Sequence, residues 1–427
     1  MEHDQLHLWF LGDPHQPRYV GALQLSIPGG NVSLRYDLAW IKTGFPLSED
    51  LPLRDGEFAP PRVVRAPVRA AGAIDDARPD RWGEKVIRYV TKPGRLTLME
   101  YLYYAGDERF GALGISTSAA VYNPKPTHAL PRLEDASTVS EAIARIENSE
   151  PLTQVQAKFI SGSGSPLGGA KPKAVIEING EQWIIKFFNN EPVDAPLVEH
   201  ASMTLAAKAC IEVAPTQVIQ ISGINAIAIR RFDRQDGKRI HAISAGTAIR
   251  AESDQGRDPD MAYPVLAQIL RRRGISQGQL NERQAIELFR RMVFNILIDN
   301  TDDHEKNHAL LMDDPQGVRQ LRLAPAYDVL PSNSGQGCQE FRCGQEGFDS
   351  TLSNAMSECA LFGLSDATAV SEVKAVVDVV NGWKEHFKAI GSTVALDAGR
   401  RIEGWFRRTT PMLPRWRCGT AGRGGDG

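Results

Sequence analysis

Residues 299–308 read DNTDDHEKNH, and this polar cluster falls where a helical apolar pattern lapses: Ile286, Leu288, Phe289, Met292, Val293, Ile296 and Leu297 precede it on one broad face. The pattern predicts a helix, with Asn281 and Gln284 placed to cap it, that ends in a functional loop. The apolar run ALLM follows at 309–312, and LAPAYDVLP at 323–331. Asp302 and Asn307 stand in the spacing D-x-x-x-x-N, and Asp328 adds a second carboxylate. Such oxygen donors suit magnesium, which keeps several waters and takes only one or two carboxylates.

The D-x-x-x-x-N spacing is that of a phosphoryl-transfer loop, in which the aspartate takes or orients the proton of an acceptor hydroxyl and the asparagine oxygen binds the metal. Residues 162–173, GSGSPLGGAKPK, carry Gly162, Gly164, Gly168 and Gly169, whose backbone amides can turn toward phosphate oxygens with no Cβ in the way. They are not a Walker loop, because Ala170 separates the glycines from Lys171 and Pro172 follows. A plain linker into the strand AVIEI is the alternative. Lys186, inside the apolar run WIIKFF, must reach an edge or find an anion, since a buried unpaired ammonium is costly. Glu199, early in the next helix, is a candidate partner for it or a solvated first-turn glutamate. Arg230–Phe232 fall where a hinge would bind adenine through its backbone.

The same loop supports a rival, since His304 and His308 fit H-E-x-x-H, a zinc-hydrolase signature when it lies on a helix. Here NTDD precedes it just where the apolar periodicity stops, and no third ligand follows. His304 instead has the character of a loop buttress. Arg239, His241 and Ser244, in RIHAIS, either line the cleft or form a capped turn.

Upstream, LHLWFL, YVGALQLSI and NVSLRYDLAWI are short strand-like runs separated by turn formers, which predicts a small β module. Two islands follow, GAIDDARPDRWGEKVI and GDERFGALGIS, in which Trp82 and Phe110 read as core anchors, with a helix over 95–104 between them. Thr138 and Glu141 have capping-box spacing ahead of VSEAIARIEN. Beyond it, AVIEI, QWIIKFF, a helix over 196–210, TQVIQI and NAIAIRRF give the order of loop, hairpin, helix and strands of a kinase amino-terminal lobe. The organisation expected is 1–125, an amino-terminal subdomain; 126–233, a smaller lobe with the glycine-rich loop and hinge; 234–410, a mainly α-helical lobe; and 411–427, a disordered tail, the arginines at its approach and within it (Arg407, Arg408, Arg415, Arg417, Arg423) reading as solvated, with contact to an acidic partner or DNA phosphate as the alternative.

The chain has 427 residues, with 49 Lys plus Arg against 52 Asp plus Glu, a formal charge of −3, 24% charged and 42% apolar residues. Those proportions disfavour global disorder, a collagen-like chain and a polybasic nucleic-acid coat. No run approaches a membrane span, and the acidic start MEHDQLHLWFLGDP is unlike a signal peptide, so a cytoplasmic protein is expected. Cys210, Cys338, Cys343, Cys359 and Cys418 are odd in number and lack zinc-ribbon spacing, as free thiols would.

Taken together, SPLGGAKPK, IIKFF, RRFDR followed by RIHAIS, NTDDHEKNH and PAYDVLP resemble, in order and spacing, the HipA family of toxin serine/threonine kinases. VGALQLS, SLRYDLAWI, DDARPDRWG and GDERFGAL are similar to the module that precedes the kinase core in that family, so the resemblance runs to about residue 410. It implies an α+β, two-lobed protein-kinase-like fold with a mainly helical carboxy-terminal lobe and a β-rich amino-terminal subdomain. It also implies ATP and Mg2+, with Asp302 as catalytic base, Asn307 and Asp328 as metal ligands, and Lys186 as the phosphate contact. Gly168, Gly169, Ala170, Lys173, Arg230 and Phe232 complete the expected ATP site, supported by Glu199 and His304. The family autophosphorylates a serine in its glycine-rich loop; Pro166 interrupts that run here, leaving Ser165 or Ser163 as acceptor. Implied partners are a small helix-turn-helix antitoxin, operator DNA read mainly through it, and a protein substrate such as an aminoacyl-tRNA synthetase. A catalytically silent co-repressor and a small-molecule kinase stay open as alternatives.

Overall fold

The computed structural model describes residues 3–26, 30–60, 68–162, 171–188, 194–253, 258–313, 320–332 and 337–391. The first strands, β1 (Gln5–Phe10), β2 (Arg18–Leu25) and β3 (Val32–Tyr36), form an antiparallel meander. After the short helix α1 (Leu38–Thr43) come β4 (Glu57–Phe58), α2 (Arg81–Val90), α3 (Leu98–Tyr104) and β5 (Leu113–Ser116). The resulting sheet has the order β4-β3-β2-β1-β5, because β5 returns to pair with β1. Helix α3 starts later than the expected 95, at a Thr97/Glu100 capping box that the sequence reading passed over.

Helix α4 (Ala136–Glu147) also starts ahead of its predicted cap, so that Thr138 lies inside it. With α5 (Gln154–Gly162) it covers one face of a four-stranded sheet, β6-β7-β9-β8, made of β6 (Lys173–Ile178), β7 (Glu181–Lys186), β8 (Thr216–Ile221) and β9 (Ile224–Arg230). Helix α6 (Ala195–Lys208) runs between β7 and β8. Strand alternation decides which side each residue takes. Ile185, Phe187, Ala226 and Ala228 pack with Trp82, Val139 and Ile143 in one core, whereas Ile227 and Ile229 join the larger core that α6 shares with the rest of the chain. Lys186, paired in register with Ile227, is thereby committed to the α6 side.

The carboxy-terminal part begins with a two-stranded turn, β10 (Arg234–Gln235) and β11 (Lys238–Arg239), then β12 (Ala242–Ser244), α7 (Ala245–Glu252), α8 (Tyr263–Arg273) and α9 (Leu280–Leu297). Strands β13 (Ala309–Asp313) and β14 (Gln320–Leu323) complete a small sheet with β12, and α10 (Leu352–Met356), α11 (Asp366–Asn381) and α12 (Trp383–Ala389) close the lobe. The predicted helix before the polar loop is α9, but Asn281 and Gln284 do not cap it. Asn281 donates to the Arg271 carbonyl, and Gln284 exchanges hydrogen bonds with the backbone of Leu323, so both tie α9 to its neighbours. Among the described residues Cys210, Cys338, Cys343 and Cys359 are free thiols, and no helix is long and apolar enough to cross a membrane.

The amino-terminal sheet is joined to the rest of the chain by buried charge. Arg231 donates to both oxygens of Asp233, at 2.9 and 2.8 Å, and pairs with Glu108 at 3.2 Å. Asp233 also accepts the Gly111 amide at 2.8 Å, and Gly111 has a positive φ of 73° and lies so close to Ala242 that a Cβ would stand 3.1 Å from its backbone nitrogen. Burial opposes the ionisation of Asp233, but Arg231 and Arg234 overcome it and hold the carboxyl far below its usual range. Its folded pKa therefore lies below the unfolded value of about 3.9, so its stabilisation is present above that value and lost as pH falls toward the folded one. Asp233→Asn should cost about 3–5 kcal/mol at neutral pH, as breaking a buried pair does. Urea melts across pH should show the gap to wild type narrowing below about pH 4.

Candidate active site

Lys186 sits at the end of β7 with its ammonium buried, and two carboxylates close on it: Glu199 Oε1 at 2.7 Å from α6, and Asp328 Oδ1 at 2.5 Å from the segment after β14. Of the two readings of Glu199, partner or solvated helix-start glutamate, the first holds, since the residue is 0% exposed. Burial works against the Lys186 charge, but Asp328 and Glu199 raise its pKa beyond the ordinary lysine value. For Asp328 burial is likewise outweighed, by Lys186 first and then by Lys173 and Lys171, and the carboxyl is held below the usual range. For Glu199 burial prevails and the pKa is raised. Its Oε2 has no hydrogen-bond partner among the described residues.

Asp328 adopts a φ of +59°, a region that residues with a Cβ seldom enter. The backbone beside it is pinned: Ala326 donates to Glu212 O at 2.8 Å and accepts from Ala214 at 2.9 Å. The neighbouring Tyr327 hydroxyl donates to Lys306 O at 2.6 Å, which ties the Asp328 segment to the loop between α9 and β13.

That loop is held from behind. Ser332 Oγ accepts the amides of Thr301 and Asp302 at 2.9 and 3.1 Å, and the Asn307 side chain donates to Asp302 O at 3.3 Å. His304 Nδ1 accepts the Lys306 amide at 3.1 Å within the same turn. The Asp302 side chain is exposed, whereas Asn307 is buried beside it. Beneath them Asp303 accepts from His308 Nε2 at 2.8 Å and from the Tyr263 hydroxyl, and Asn295 donates to Tyr263 at 3.2 Å. Burial disfavours the Asp303 charge, and the His308 and Tyr263 contacts more than offset it, leaving the carboxyl below its usual range. Residues 304–308 form a turn running into β13, and His308 stacks on Phe341, so the two histidines share no helix face as a zinc hydrolase would require.

Of the other predicted residues, Phe232 lies against Phe110 and against Tyr327, next to Asp328. Arg230 is still in the sheet, with its backbone amide given to Pro215 O and its Nη1 paired with Glu181 at 3.1 Å, so its backbone N–H is already taken. Gly168, Gly169, Ala170, Ser163 and Ser165 lie outside the described residues. RIHAIS faces the amino-terminal region: Arg239 donates to Asp107 O at 2.5 Å, His241 Nε2 to Leu47 O at 2.8 Å, and Ser244 Oγ to Asp76 at 2.7 Å while capping α7. Sequence reasoning missed Ser332 and the Asp303–His308–Tyr263 group. The acid pair Asp302–Asp303 in a loop that follows a buried helix was the available signal for the latter.

Comparison with known proteins matches residues 15–116 to the HipA N-terminal domain and residues 165–383 to the HipA-like C-terminal domain. Two relatives from Sinorhizobium fredii carry provisional kinase names. Y4dM is 28% identical over 255 residues, 56% of this chain and 58% of its own length. Y4mE is 29% identical over 135 residues, 30% of each chain. The chain thus aligns with less than two thirds of either. In fold it is similar to HipA of Shewanella oneidensis MR-1, solved with HipB and operator DNA, at a TM-score of 0.65 and 16% identity over 95% of this chain and 98% of that one.

Lys186→Met should strand both carboxylates and cost about 3–5 kcal/mol at pH 7. Without the ammonium, burial and the repulsion between the two carboxylates would be opposed only by the lesser pull of Lys173 and Lys171, and the pair would bind protons more readily than in the unfolded chain. The loss should then shrink as pH falls and the pair protonates, which thermal melts from about pH 8 down to 5 would reveal.

Proposed function

The chain belongs to the HipA family, and from that premise we propose that it is an ATP- and magnesium-dependent serine/threonine protein kinase, the toxin of a HipA/HipB-like pair. The observation that carries this reading is the contact of Lys186 with Glu199 and Asp328 beside a loop presenting Asp302 and Asn307. The donor set fits the group it would hold: the Asp328 carboxylate and the Asn307 amide are the hard oxygen ligands that magnesium takes alongside water. An ammonium fixed by two carboxylates is a preorganised phosphate contact. Magnesium–ATP, when bound, supplies the transferable phosphoryl group and the cation that offsets its charge.

The chain's own residues then divide the work. Asn307 and Asp328 would hold the metal, and Lys186 the phosphates. Asp302, exposed at the loop tip, accepts the proton of the incoming hydroxyl. Its backbone is fixed by Ser332 and Asn307, so the carboxylate meets the acceptor with little freedom left to lose. Acceptors under this reading are a serine of the chain itself, Ser165 or Ser163, and a protein target of the aminoacyl-tRNA synthetase class. A HipB-like antitoxin would carry the DNA reading.

Asp302→Asn should lower phosphate transfer by about 10²–10⁴-fold, the usual worth of a general base, with the melting temperature unchanged. Intact mass and phosphopeptide mapping before and after ATP and magnesium test it. Phosphate on Ser163 or Ser165 in wild type and none in the variant is the expected result; equal phosphate in both would remove Asp302 from its role.

A further inference from the structure

Lys173 opens β6 and is the register partner of Lys186 on β7. Residues directly opposed in an antiparallel pair carry their side chains on one face of the sheet, so two lysines leave the same face from neighbouring positions, where like charges repel. Each has its own counterion. Lys173 Nζ lies 2.9 Å from Asp80 Oδ2, with the two side chains 3% and 5% exposed.

Asp80 does not come from the sheet. It is the N-cap of α2, and its other oxygen accepts the Gly83 amide at 2.7 Å, which fixes its rotamer. Two residues on, the Trp82 indole donates to the Lys173 carbonyl at 2.9 Å. The island DDARPDRWG therefore grips Lys173 at both its backbone and its ammonium. The charge of Lys173 is also felt at Asp328, whose carboxyl it helps keep ionised. A buried pair kept for stability alone can be replaced by apolar side chains at little or no cost. This one instead sets a second cation on the face of the Lys186 contact.

We infer that Asp80 is a positioning residue of the nucleotide site, contributed by the amino-terminal region, and that it aims Lys173 as a second ammonium at the polyphosphate of ATP. The inference rests on the kinase reading and adds to it that the phosphate site is shared between the two halves of the chain. Asp80 touches no reactant; it acts through Lys173.

The test is equilibrium binding of ATP with magnesium to the full-length chain, by calorimetry, for wild type, Asp80→Asn, Lys173→Met and the double variant, with thermal melts of each. Loss of one charge-assisted phosphate contact should weaken ATP by about ten- to a hundredfold in Asp80→Asn and Lys173→Met. The double variant should bind no more weakly than Lys173→Met alone. Unchanged ATP affinity in a folded Asp80→Asn, or a further loss on adding it to Lys173→Met, overturns the inference. Should Asp80→Asn not fold, the double variant, which buries no lone charge, still decides it by comparison with Lys173→Met. A purely structural pair would lower melting temperatures and leave affinity intact. Absence of ATP binding by wild type would sink the kinase reading itself, in an arm separate from the variants.

Discussion

A lysine inside a protein keeps its charge when carboxylates meet it, and at Lys186 they come from two directions. Glu199 arrives on α6, and Asp328 from the segment beyond β14. Because α6 packs on the four-stranded sheet and Asp328 follows β14, the ion triad adds a charged tie to the core that the two already share. The positive φ at Asp328 is sustained by the same arrangement, since Ala326 is bonded to Glu212 and Ala214 and Tyr327 to Lys306 just before it.

The loop carrying Asp302 depends on that frame. Its amides rest on Ser332, its carbonyls take Asn307 and Tyr327, and Asp303 anchors it to α8 and β13 through Tyr263 and His308. A charged side chain can stay exposed while the backbone that carries it is held by hydrogen bonds, as at Asp302. Asp302 and Asp303 divide the duties of an acid pair in this way, one outward and one buried.

Much of this was legible from the residues. The apolar period of α9, the polar cluster after it and the stranded lysine at 186 each carry a direct physical meaning in one dimension. The β-strands of the smaller lobe were equally readable from alternation, and Glu199 was named because a buried lysine needs a carboxylate. Contacts between distant segments were not readable. Nothing local to RIHAIS says that Arg239, His241 and Ser244 turn toward Asp107, Leu47 and Asp76, because a polar residue looks the same whether it lines a cleft or seals an interface. Asn281 and Gln284 misled for a related reason, since side chains suited to capping also suit bonds to neighbouring elements. The strand also outlasts its apolar run, so that Arg230 is still paired in the sheet, with Trp183.

The two regions that match separate family descriptions are sealed by pairs that each draw one member from either side: Glu108 with Arg231, Asp76 with Ser244, Asp80 with Lys173. A change to one member of such a pair leaves a charge or hydroxyl in the core facing a neighbour that no longer answers it. In this chain the two regions are thus fitted to each other charge by charge, and neither can be altered at these positions without a matching change in the other.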